Sequence, residues 1–270
     1  MTTLSFALNH MTAPALPLAE FFALAQSLGI SAVEIRNDLA GNAIIDGTPA
    51  HQVRILAEKY AQTIISINAL QRFNEWNDER AREAQELISY AQDCGAKALV
   101  LVPVNDGSGQ KDGERQANLR QALSALKPML EQAGIIGLVE PLGFEICSLR
   151  SKTEAVEGIG AVGGRGRFKL VHDTFHHHLA GEDLFHSEMT GLVHISGVAD
   201  PDVTGGDMRD PHRVLVGADD RLDNAGQIRR LRTSGYAGAF SFEPFSPAVH
   251  QLSDVGAALR ESMAFLQARV

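Results

Sequence analysis

Only two of the 270 residues are cysteine, Cys94 and Cys147, and they form neither a C-x-x-C pair nor the spaced set of a disulfide framework. A cysteine-built metal site and a disulfide-stapled scaffold are both excluded, and Cys94, late in a helical pattern, reads as a small buried thiol. Basic residues are in the minority: 24 Lys and Arg stand against 33 Asp and Glu, a formal net charge of −9. Proteins that grip a phosphate backbone usually carry a basic stripe, so this balance argues against a nucleic-acid partner. No uninterrupted apolar run approaches the roughly 18 residues of a membrane span. Met1-Thr2-Thr3-Leu4 lacks the basic region and apolar stretch of a secretory signal. A reducing cytoplasm, with no membrane partner, is the expectation. No Pro/Ser-rich linker or low-complexity tract interrupts the chain, which favours one domain over residues 1–270.

What the chain has instead is alternation. Short apolar runs of strand character are followed by longer amphipathic segments. Strands are predicted over 4–9, 32–35, 64–68, 98–102, 135–140, 168–173, 192–196 and 239–243. Helices are predicted near 17–28, 49–60, 78–94, 114–132, 152–158, 181–188, 223–234 and 253–267. Gly29, Gly95, Gly134 and Gly235 each follow a predicted helix, where a residue able to take φ > 0 ends the last turn. After the first three an apolar strand begins almost at once, the short return turn of a repeated β/α unit. The longest irregular segment, 197–220, follows the seventh strand, and a long loop in a compact domain is commonly functional.

Eight such units can lie open as a doubly wound sheet or close into a barrel. A dinucleotide-binding open sheet would show G-x-G-x-x-G after its first strand, but Asn9-His10-Met11-Thr12 contains no glycine. Gly158-Ile159-Gly160-Ala161-Val162-Gly163 has the spacing but follows a helix, and reads as a turn before the sixth strand. The expected fold is therefore α/β, a single-domain (β/α)8 TIM barrel, whose length this chain matches.

Four consecutive strands end in a possible metal ligand. Glu140 closes the fifth, Asp173 the sixth and Glu243 the eighth, and His194 lies in the seventh. Side chains alternate along a strand, so Leu138 shares a face with Glu140, and Val171 with Asp173. Inward faces of a barrel converge at the C-terminal ends of its strands. Three carboxylates gathered there would repel one another unless a cation intervened. Three carboxylate oxygens and one imidazole suit one divalent ion, Mn²⁺, Mg²⁺, Co²⁺ or Zn²⁺, with positions left for two substrate oxygens. The set does not resemble an oxygen-only calcium cage.

Other polar residues point to the same rim. Of His176-His177-His178, the first lies nearest Asp173 and is the candidate to line the pocket; His177 and His178 read as structural or exposed. Arg213, in the 197–220 loop, reads by default as a solvated arginine, and a loop folded over the mouth would bring it to an anionic or polyhydroxylated substrate. Arg36 and Asn68 follow the second and third strands. Trp76 reads as a packed or partly exposed aromatic. Ser196 lacks the G-x-S-x-G of a nucleophile elbow, which removes serine-hydrolase chemistry.

Over nearly its whole length the chain resembles the sugar-isomerase-like barrels that include xylose isomerase, the tagatose-type ketose epimerases and the apurinic endonucleases. It is most similar among them to the inosose isomerases of inositol catabolism, which act on 2-keto-myo-inositol. The likeness rests on Val33-Glu34-Ile35-Arg36, Ile67-Asn68-Ala69-Leu70, Val171-His172-Asp173-Thr174-Phe175-His176, Val193-His194-Ile195, Arg213-Val214-Leu215-Val216-Gly217 and Ser241-Phe242-Glu243-Pro244-Phe245. The resemblance implies a metal held by Glu140, Asp173, His194 and Glu243, an acid–base pair in Glu140 and Glu243, and His176 and Arg213 against the substrate. It also implies pairing of subunits through loops. Glu140-Pro141-Leu142-Gly143 and much of 197–210 differ from that group, and the loop is where substrate choice would be set. The expected reaction is enediolate proton transfer on an α-hydroxyketone.

Alternatives with the same metal site are a ketose 3-epimerase, a hydroxypyruvate-type isomerase and an inosose dehydratase. A phosphodiesterase of the apurinic endonuclease type would need further histidines on the third and fourth strands, where Asn68 and Val102-Pro103-Val104 stand; Asp210-Pro211-His212 is the feature in its favour. A metal-free binding barrel would not need all four ligands.

Overall fold

The computed structural model describes residues 3–42, 44–45 and 47–270. Its strands are β1 (Phe6–Asn9), β2 (Ala32–Arg36), β3 (Thr63–Leu70), β4 (Ala98–Leu101), β5 (Ile136–Val139), β6 (Phe168–Asp173), β7 (Thr190–Ile195) and β8 (Phe240–Phe242). Each pairs in parallel with its neighbours in sequence, and β8 closes on β1, giving the expected eight-stranded barrel. The helices are α1 (Leu18–Ser27), α2 (Ala50–Lys59), α3 (Asp78–Cys94), α4 (Glu114–Ala133), α5 (Lys152–Ala161), α6 (Thr174–Ala180), α7 (Asn224–Thr233), α8 (Pro247–His250) and α9 (Val255–Arg269). Among the described residues no helix is long and apolar enough to cross a membrane.

Strand alternation sorts the apolar residues into two cores. One side of each strand (Leu8, Val33, Ile35, Leu99, Leu101, Val139, Val193, Phe242) packs under the helices with Phe21, Phe22, Leu87, Leu123 and Ile228. The other forms a small cluster of Ala69, Ala98, Val100, Leu138, Val171 and Leu192. Glu140 and Asp173 each stand two residues beyond a member of the second cluster, hence above it on the same face.

Two predicted segments are corrected. The sixth helix was expected near 181–188 but runs from Thr174 to Ala180. The Asp173 carboxylate accepts from the amides of Phe175 and His176 and starts the helix directly at the strand end, and Gly181 ends it at φ +66°. The glycine-spaced segment from Gly158 is not a turn at its start, because α5 continues to Ala161. Gly158 lets α4 approach: a Cβ there would stand 2.6 Å from Leu119 Cδ2.

One buried polar chain ties elements together outside the barrel. Lys152 Nζ lies 3.0 Å from His172 Nδ1, and His172 Nε2 lies 2.9 Å from Gln227 Oε1, joining α5, β6 and α7. Burial pushes the Lys152 ammonium down to about 8, only partly opposed by Glu182. In the unfolded chain the same group titrates near 10.5. Between those values the unfolded state binds more protons, so this group's penalty is full below about pH 8 and fades as pH rises towards 10. Urea denaturation from pH 7 to 10 should show stability rising across that window in the wild type, and a flatter profile in Lys152→Met; identical profiles would contradict the assignment.

Candidate metal centre

The mouth of the barrel is built by ladder bonds that run past the strands. The amide of Glu140 donates to Leu101 O at 3.1 Å and that of Glu243 to Ile195 O at 3.0 Å, so both glutamates keep strand geometry just beyond β5 and β8. Asp173 and His194 are register partners across β6 and β7. Asp173 spends Oδ1 on capping α6 and leaves Oδ2 to face inward.

Glu140, Asp173, His194 and Glu243, all buried, bring one donor atom each to within 4.8 Å of one another. His194 Nδ1 lies 3.0 Å from Glu140 Oε1, 3.1 Å from Glu243 Oε2 and 3.9 Å from Asp173 Oδ2. Ligands about 2.1 Å from a shared ion stand roughly 3 Å from their neighbours, so these spacings fit a single coordination shell.

Glu34 on β2 was not singled out from the sequence, yet it governs the imidazole. Its carboxylate is fully buried and accepts from the hydroxyls of Ser66 and Ser241, from Asn68 Nδ2 at 2.8 Å and from His194 Nε2 at 3.1 Å. Burial opposes its charge, but His194 and Ser241 outweigh that and hold its carboxyl below the usual range. An ionised carboxylate only accepts, so a neutral His194 must carry its proton on Nε2 and present the Nδ1 lone pair to the three acids. The available signal was Val33-Glu34-Ile35-Arg36: two charged residues two apart on an otherwise apolar strand share one face.

Two guanidiniums complete the centre. Arg213 Nη2 donates to Asp173 Oδ2 at 2.6 Å and Glu243 Oε2 at 3.0 Å, and its Nε donates to Ser196 Oγ at 3.0 Å. Arg36 Nη1 donates to Glu243 Oε1 at 2.8 Å and to Asn9 Oδ1 at 3.2 Å. Asn9 Nδ2 also reaches Glu243 Oε1 at 3.0 Å, a second residue that sequence reasoning missed. Four buried carboxylates (Glu34, Glu140, Asp173, Glu243) face two guanidiniums that also pair with Asp38 and Asp210, so the cluster keeps an excess of negative charge around a neutral imidazole, which a divalent ion offsets. With no ion, the imbalance falls on His194: burial disfavours its charge, but Glu243, Glu34 and Glu140 raise its pKa well above the ordinary range. The two outer glutamates diverge. For Glu243, burial is outweighed by His194, Arg213 and Arg36, which keep its carboxyl low. For Glu140, burial, with Glu243 and Asp173 adding to it, prevails over His194 and pushes the carboxyl up.

The structure thus brings together Glu140, Asp173, His194, Glu243, Arg213 and Arg36. His176 is buried and lines the cavity above them, with Phe144 and Phe175 edge-on, and among the described residues its Nδ1 has no hydrogen-bond partner. Asn68 also lines that cavity, but its amide serves Glu34. His177 is buried against Phe185 and His172, His178 is exposed, and Trp76 packs partly buried on the outer core. Ser196 is an acceptor for Arg213.

A family model described as xylose isomerase-like TIM barrel matches residues 22–269. An inosose isomerase of Bacillus velezensis is 26% identical over 215 residues, 75% of each chain. Among solved structures, a xylose isomerase domain containing protein of Salmonella typhimurium superposes with a TM-score of 0.91 at 35% identity, over 98% of this chain and 99% of its own. The IOLI protein, solved with a binding zinc atom, shares the fold at a TM-score of 0.87 and 21% identity, over 99% of both chains.

Replacing Glu34 by Gln removes the charge and one of the two accepting oxygens that hold the imidazole and its neighbours, and should weaken metal binding by about 10–100-fold. Competition against a fluorescent chelator measures this, and an unchanged affinity would remove Glu34 from its orienting role.

Proposed function

The chain belongs to the xylose isomerase-like TIM barrel family, and from that membership we propose that it is a divalent-metal-dependent isomerase or epimerase of a polyhydroxylated α-hydroxyketone, with 2-keto-myo-inositol as the first candidate substrate. The observation that carries the reading is the convergence of Glu140, Asp173, His194 and Glu243 beneath a cavity lined by Arg36, His176 and Arg213. The relatives named inosose isomerase support the substrate. The two free, buried cysteines suit a reducing cytoplasm.

A divalent ion held by these four residues would polarise the substrate carbonyl and stabilise an enediolate. The protein's own groups would do the rest. Glu140 and Glu243 are the acid–base pair. Glu243 has both oxygens engaged, by Asn9 and Arg36 on Oε1 and by Arg213 on Oε2, which keeps it ionised and oriented. Glu140 Oε1 is taken by His194 Nδ1, and among the described residues Oε2 has no hydrogen-bond partner, which leaves it the freer oxygen to accept and return the proton. His176 Nδ1, buried and without a partner, and the Arg213 guanidinium would hold substrate hydroxyls.

The test is to strip the purified protein with chelator, restore one metal at a time, and follow 2-keto-myo-inositol, fructose and tagatose by NMR in D2O. Activity should vanish on stripping and return with metal, with solvent deuterium at the carbon that exchanges its proton. Undiminished turnover after stripping would refute metal dependence. Glu140→Gln and Glu243→Gln should each lower kcat by about 10²–10⁴-fold with the circular dichroism spectrum unchanged. Wild-type rates in either variant would remove that glutamate from the proton transfer.

A further inference from the structure

The cavity above the metal centre is small, about 220 Å³. A second cavity of about 460 Å³ adjoins it, and Asn105, Phe144 and Asp210 wall both. Ligand pockets usually measure roughly 300–1,000 Å³. The inner cavity alone falls below that range, and the two taken together fall inside it.

The chemistry of the outer cavity is mixed. Arg150 spends Nε and Nη2 on the carbonyls of Gly143 and Leu179, leaving Nη1 unspent. Arg209 spends Nη1 on the carbonyls of Gly206 and Met208, leaving Nε and Nη2, and its guanidinium lies 5.9 Å from the Phe144 ring centroid. Among the described residues neither arginine forms an ion pair. Two such cations could suggest an anion. Three neighbours argue otherwise: Glu145 and Asp210 line the same space, and among the described residues the buried Asn105 Oδ1 has no hydrogen-bond partner. A carboxylate or fully ionised phosphate donates nothing to that oxygen, whereas a hydroxyl both donates and accepts. Donors, acceptors and one aromatic side chain in a single concavity match a sugar ring.

We propose that the outer cavity is a subsite for a second polyhydroxylated ring, so that the preferred substrate is an α-hydroxyketone carrying a glycosyl substituent. The ketone-bearing part occupies the inner cavity and the substituent reaches past Phe144 towards Arg209 and Asn105. This deepens the isomerase reading and rests on it.

The experiment pairs fructose with its 6-O-glucosyl derivative, isomaltulose, which leaves carbons 1 to 3 free to react. Metal-loaded wild type should show a kcat/KM for isomaltulose about tenfold or more above that for fructose. Gly206→Trp, which fills the outer cavity from a position where an added Cβ meets open space, should abolish that advantage and leave fructose unchanged. Calorimetry adds a readout free of turnover: glucosyl-glucitol should bind more tightly than glucitol, and Gly206→Trp should equalise them. If both ketoses turn over equally and Gly206→Trp changes neither, the subsite is overturned and the isomerase stands. If neither ketose nor 2-keto-myo-inositol turns over, yet glucosyl-glucitol binds more tightly in the wild type alone, the subsite stands and the isomerase reading falls.

Discussion

The buried charge gathered around His194 is the constraint to which the rest of the barrel mouth answers. Carboxylates from β2, from β6 and from just beyond β5 and β8 approach one imidazole in a space that water scarcely enters. Charges so placed repel strongly unless each is matched, and the matching is layered. Arg36 and Arg213 share Glu243 between them, and both guanidiniums lie over the ring of Phe245, at 5.6 and 4.5 Å from its centroid. Asp38 and Asp210 in turn hold the outward ends of the two arginines. Each of these partners limits the freedom of the next, which is how a carboxylate is kept in one rotamer without a ligand to position it.

The barrel interior supports this arrangement by being unlike on its two sides. Val100, Leu138, Val171 and Leu192 fill one side with hydrocarbon. Glu34, Ser66, Asn68 and Ser241 fill the other with a saturated hydrogen-bond network. The apolar side lowers the local dielectric and strengthens every interaction above it. The polar side keeps Glu34 from standing unpaired in that medium, where its cost would be several kcal/mol.

The segment between β7 and α7 contributes as much as any strand. It is ordered by an antiparallel bridge of Gly197 with Val214 and by a satellite core of Phe175, Val198, Met208 and Leu222. The amides of Phe245 and Ser246 both donate to Arg213 O, so the backbone that carries the arginine is fastened to the chain after β8. The same segment supplies Gly205, Gly206, Arg209 and Asp210 to the outer cavity. Neutralisation of the acids and the shape of the substrate space therefore depend on one loop.

Much of this could be read from the chain alone. The strand–helix alternation, the glycines after α3 and α4, and acids or imidazole near the ends of β5 to β8 are properties of local period and turn chemistry, which neighbouring residues determine by themselves. Their convergence could be argued because side-chain alternation and barrel closure are regular. The sixth helix was misplaced because its start depends on the Asp173 side chain accepting from the amides of Phe175 and His176 just ahead of it, a competition between capping and strand extension that periodicity does not register. Glu34, Asn9 and Phe245 escaped notice for another reason. Their importance comes from partners up to 234 residues away in sequence, and only closing β1 against β8 brings such residues into contact. Local order thus followed from near neighbours in the sequence, whereas the choice of which buried charges compensate one another belonged to the tertiary structure, because electrostatic pairing depends on distance in space and not on separation along the chain.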